Sequence, residues 1–173
     1  LNIMMDSVDN EWTKVNDRWG NWSLFADDSL NNKQSISRGI NICKKTMQAT
    51  ANYKAFYNEY PSIAKRKLKK VPSYNRLKKE YLNALYTEYE NQSTYLNAMY
   101  TTSIQSQKNN IKTLKLFKDN IHKWYSNDDG LTFYDSLAHE NYATFYKKGM
   151  MLDSIIDKLY DKYSNANNYY SYD

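Results

Sequence analysis

The chain has 173 residues, a formal charge of +5, a mean hydropathy of −0.89 and 16% aromatic side chains. Four glycines and two prolines are too little punctuation for a turn-rich β-sandwich or barrel. One cysteine excludes a disulfide framework and a cysteine-based zinc site, and no run of 18 apolar residues exists to cross a membrane. The length suits one domain with a real core and the aromatic content opposes plain disorder, so an all-α protein is predicted.

The first predicted helix covers 2–26. Leu1, Met5, Val8, Trp12, Val15, Trp19, Trp22 and Ala26 alternate steps of four and three, a heptad-like seam. Asn2, Asp6, Asp9, Asn10, Asn16 and Asp17 lie opposite. Asp27-Asp28-Ser29 is the break. A second helix starts at Ser29 or Asn32 and carries Ile36, Ile40, Cys43, Met47, Thr50, Tyr53 or Lys54, and Tyr57 on one stripe. Its predicted end is Glu59, because a proline at 61 disfavours helical geometry before it. Residues 60–72, between the two prolines, read as a connector with at most one helical turn.

A long third helix follows over 77–124, from Leu77 through Leu85, Leu96, Gln107, Leu114 and Phe117 to Trp124. Tyr81-Leu82-Asn83-Ala84-Leu85-Tyr86 returns fourteen residues later, with one change, as Tyr95-Leu96-Asn97-Ala98-Met99-Tyr100, a two-heptad echo. Thr, Ser and Asn between 101 and 110 weaken helix preference and allow a kink there. Residues 126–130 read as a loop. Thr132 with Asp135 resembles a capping box for a fourth helix to about 163, with Tyr134, Ala138, Tyr142, Phe145, Gly149, Leu152, Ile156, Leu159 and Tyr163 as its stripe. The polar tail 165–173 reads as disordered. The predicted architecture is a single domain over 1–164: an elongated antiparallel helical bundle or coiled coil of about four helices, with no sheet.

Charge is local. Lys65, Arg66, Lys67, Lys69, Lys70, Arg76, Lys78 and Lys79 face Glu80 alone, whereas the remainder has 16 basic and 18 acidic side chains. These eight cations are the candidate anion or partner contact. Tyr81, Tyr86, Tyr89, Tyr95 and Tyr100 are a candidate protein interface, since tyrosine is amphipathic and the apolar arc of 81–100 exceeds one stripe. Lys, Asn, Tyr and Ile supply 69 residues, and their A/T-rich codons point to a low-GC genome and make part of the tyrosine excess mutational drift.

No catalytic constellation is visible. His122 and His139 lie in no HExxH motif; an antiparallel turn would bring them near Asp128, Asp129 and Asp135, a metal arrangement the sequence disfavours. The Asn-Asp-Asp-Gly run lacks both end ligands of an EF-hand. There is no P-loop, GxGxxG or GxSxG, and Cys43 sits on an apolar stripe. The expectation is a non-enzymatic helical interaction module without cofactor or metal, binding a protein or a cell-envelope component. The absence of a Met before Leu1 leans it to a bacterial or mobile-element protein outside the cytoplasm or at the surface. The rival is an intracellular nucleic-acid-associated or inhibitory protein using 65–79 on phosphates, without sequence reading.

Overall fold

The computed structural model describes residues 25, 27–70, 72, 75–127 and 130–168. A short helix α1 (Asp27–Leu30) precedes α2 (Lys33–Leu68), α3 (Asn75–Asp119), a hairpin of β1 (Trp124–Asn127) and β2 (Gly130–Phe133), and α4 (Ser136–Asn168). Helix accounts for 86% of the described residues, so the all-α class holds. Of the helix predicted over 2–26, only Phe25 is described; Trp12, Trp19 and Trp22 lie outside the described residues.

Helix α2 starts at Asn32, whose side chain accepts hydrogen bonds from the amides of Gln34 and Ser35. Its predicted end at Glu59 is wrong: the helix passes through Pro61 to Leu68. An interior proline costs about 3 kcal/mol. Pro61, Ile63 and Ala64 are all buried, and burying a residue the size of isoleucine returns roughly 1.5–3 kcal/mol. The stretch read as a connector is therefore two more turns of helix.

Helix α3 is the longest element and is unbroken through 101–110. At 1.5 Å per residue its 45 residues span about 67 Å. The hydroxyls of Thr101, Thr102 and Thr113 donate to the carbonyls of Asn97, Ala98 and Asn109 in the preceding turn, so these residues satisfy themselves within the helix. The helix stops at Asp119 rather than running to 124. The Asn120 amide and side chain both donate to Leu116 O, and His122 takes a left-handed φ of 59° that turns the chain.

The hairpin corrects the expectation of no sheet. Its register pairs Trp124 with Phe133 and Asn127 with Gly130. Trp124 and Phe133 are buried while Tyr125 and Tyr134 are exposed, the alternation of a half-buried ribbon. Helix α4 is then capped by Asp135, whose carboxylate accepts from the Ala138 amide at 2.7 Å, three residues later than the Thr132 cap predicted from sequence. It runs to Asn168, into the segment read as tail.

Helix α3 is the spine. Helices α2 and α4 each pack along it, with little contact between the two. Both run antiparallel to it: Tyr53 meets Tyr100 and Tyr57 meets Tyr89 on one side, and Asn109 donates to the Phe145 carbonyl on the other. The tightest core lies at the hairpin end, around Leu30, Ile36, Cys43, Leu114, Phe117, Trp124 and Phe133. Phe117 is fully buried, with the rings of Trp124, Phe133 and Tyr142 5.1–5.7 Å away.

Candidate functional site

Titratable and nucleophilic groups are scattered. His122 and His139 are both exposed, and no group of three His, Cys, Asp or Glu side chains among the described residues could hold a metal. Cys43 is fully buried, and burial pushes its thiol up to about 11, a poor nucleophile near neutrality. No helix of the described residues is long and apolar enough to cross a membrane.

The eight cations gather at one end of the α2–α3 pair. Lys65, Arg66 and Lys67 stand in the last turn of α2, Lys69 is its C-cap, and Lys70 follows in the turn. Arg76, Lys78 and Lys79 stand in the first turns of α3. All are exposed except the half-buried Lys78. Cations at the C-terminus of α2 complement its dipole. Those at the N-terminus of α3 oppose its dipole, and that first turn has no acidic residue. Arg76 pairs with Glu80 at 2.8 Å, and the other seven have no ion-pair partner among the described residues. The basic segment is thus held on two helix ends rather than on a free linker.

The five tyrosines divide. Tyr100 is buried and meets Tyr53 edge-on at 5.3 Å; Tyr89 stacks near Tyr57, and its hydroxyl donates to Asn58 Oδ1. These two belong to the α2–α3 seam. Tyr86 and Tyr95 are half-buried, and Tyr81 is the exposed one. Tyr81 lies beside Tyr60, whose hydroxyl is held above its ordinary value, first by burial and then by Tyr81 and Glu88.

The apolar surface that sequence reasoning missed is on α4. Leu137, Met151 and Ile155 are 65%, 54% and 38% exposed. Offsets of 14 and 18 residues place them within about 40° of one another around the helix; Met151 and Ile155 are one turn apart, whereas Leu137 stands about 21 Å away along it, beyond the exposed Asn141, Thr144 and Lys148. Tyr146, Met150 and Tyr160 are exposed elsewhere on α4. Tyr146 and Met150 border a cleft of ≈ 480 Å3 between α3 and α4, with Phe25, Asn109, Phe117, Leu131 and Asp153 also in its lining. The signal was in the sequence: 142, 145, 146, 149, 150, 151, 152, 155 and 156 are all apolar or glycine, an arc too wide for one stripe.

No protein-family model, no curated protein and no solved structure matches the chain.

Proposed function

We propose that the chain is a non-enzymatic helical interaction module that binds another protein through the side of α4 bearing Leu137, Met151 and Ile155. The observation that carries this reading is their shared exposure on one face of a helix that buries Ala138 and Leu152. Large apolar side chains adjacent on a surface, as Met151 and Ile155 are, mark contact sites, whereas singly scattered ones do not. The buried thiol and the isolated histidines support a non-enzymatic role.

The test is affinity capture from cells that produce the protein, with the full chain and a Met151→Glu/Ile155→Glu variant in parallel. Met151 is 54% and Ile155 38% exposed, and the variant's melting temperature is measured beside the parent's so that lost binding is read on a folded chain. A protein held by the parent and lost by the variant is the expected result. Equal recovery with both contradicts the reading.

The basic end supports a second reading, contact with a polyanion such as nucleic acid. Four phosphate contacts on duplex DNA would give a log–log salt slope near −3.6, roughly 150-fold weaker binding at 200 than at 50 mM salt. Fluorescence anisotropy with a generic duplex reads this directly. Submicromolar, salt-steep binding that is lost when Lys65, Arg66, Lys67, Lys69 and Lys70 become Gln would favour the second reading over the first.

A further inference from the structure

The cleft between α3 and α4 lies on the side of α4 away from Met151 and Ile155: Asp153 in its lining is two residues, or about 200°, from Met151. Its ≈ 480 Å3 is within the size range of small-molecule sites, about 300–1,000 Å3. The rings of Phe117, Tyr142 and Tyr146 follow one another along it, with centroids 5.7 and 6.0 Å apart. Beyond Tyr146 the wall opens at Gly149. Outside the helix's own turn, a β-carbon there would meet only Asn109 Nδ2, at 3.5 Å. Asp153 stands at the far end, seven residues from Tyr146 and about 10 Å further along α4.

Charge in this cleft has one sign. Asp153 is the sole charged side chain among the described residues of the lining, although the whole chain carries +5. Its carboxylate accepts from the Ser106 hydroxyl at 3.5 Å and has no ion-pair partner among the described residues. Partial burial raises its carboxyl above the ordinary value; the Ser106 hydroxyl opposes this and Asp157, one turn on, adds to it. One turn from Ser106 on α3, Asn109 is 4% exposed and its amide nitrogen is committed to the Phe145 carbonyl at 2.8 Å, which leaves its Oδ1 an acceptor without a partner among the described residues. We propose that the cleft binds an organic ammonium compound, its aromatic body lying along Phe117, Tyr142 and Tyr146 and its cationic head on the Asp153 carboxylate. The head supplies the cation that Asp153 lacks, and the ring faces beside it attract the same charge. An anion of the same shape meets Asp153 and Asp157 and is repelled.

Glycine-selective 15N labelling of the full chain reads binding at the site itself, because the chain has four glycines, Gly149 lies in the cleft and Gly39 is buried in α2. The probe is tryptamine near neutral pH, with 3-indolepropionate as an anion of the same ring and similar length. Tryptamine should move the Gly149 amide signal and leave that of Gly39 in place, with a Kd below about 1 mM for a ligand of its size. The anion should bind at least about tenfold more weakly, since it loses the attraction and gains a repulsion. Asp153→Asn should weaken tryptamine about fivefold, the upper range for an exposed ion pair. The same variant should bind neutral 3-ethylindole as the parent does, which shows that its cleft is intact. A Gly149 signal unmoved by tryptamine, an equal response to the anion, or tryptamine binding indifferent to Asp153→Asn would overturn the proposal.

Discussion

Phe117→Ala removes the side chain on which the hairpin, α3 and α4 converge. Phe117 is fully buried, and the rings of Trp124, Phe133 and Tyr142 stand 5.3, 5.1 and 5.7 Å from its own. Truncating a buried phenylalanine costs about 3–5 kcal/mol from lost transfer and the cavity left behind. Aromatic pairs add roughly 0.5–1.5 kcal/mol beyond area, so three of them place the loss near the middle or top of that range, about 4 kcal/mol. With about 2.1 cal/mol/K of unfolding entropy per residue, 173 residues give about 0.36 kcal/mol/K, so the melting temperature should fall by about 11 °C. Urea unfolding followed by far-UV and near-UV circular dichroism measures it, coincidence of the two probes licensing a two-state fit. Leu77→Ala, at a side chain 62% exposed, is the control and should change stability by no more than about 0.5 kcal/mol. A Phe117→Ala loss below about 1 kcal/mol would refute the placement of the core at the hairpin end.

Asp135→Ala should cost about 1 kcal/mol by removing the cap of α4, and Asp135→Ser should recover most of it, read from urea midpoints. Gly149→Ala should stabilise by about 0.5–1 kcal/mol, because a β-carbon there meets only Asn109 Nδ2 at an ordinary 3.5 Å and the helix gains from the lost glycine; a destabilised variant would show that α4 sits closer to the spine than this. Cys43 should react with a thiol reagent only on unfolding. Its thiol titrates at 9.0 unfolded and about 11 folded, so its contribution to stability is intact below pH 9.0 and is lost as pH rises through about 11. Tyr60 and Tyr142, both raised chiefly by burial, act in the same direction, and Cys43→Ala should flatten the alkaline fall in melting temperature without abolishing it.

Periodicity made the long amphipathic elements legible. The stripes of α2 and α4 match the buried Ile36, Ile40, Cys43 and Thr50 and the buried Ala138 and Leu152. Local rules failed where packing decided. A proline predicts a stop, but buried Ile63 and Ala64 beyond it hold two further turns. The hairpin was hidden because Trp124 continues the helical spacing of Ile121, although Trp124 and Phe133 also alternate with exposed neighbours at period two. The basic cluster was readable as charge, but its place on two helix ends depends on α2 passing Pro61. Tyr89 and Tyr100 looked like an open interface because a wide apolar arc does not say which side another helix covers. The same ambiguity concealed the exposed side of α4.

Calorimetry of the partner captured through α4 tests the central claim most directly. Burial of Leu137, Met151 and Ile155 should give a negative heat-capacity change on binding, an affinity that changes little between 50 and 200 mM salt, and at least about tenfold weaker binding by the Met151→Glu/Ile155→Glu variant, as loss of more than about 1.4 kcal/mol requires. An affinity that falls steeply with salt, shows no heat-capacity change and is indifferent to that double substitution would contradict it and move the binding surface to the basic end of α2 and α3.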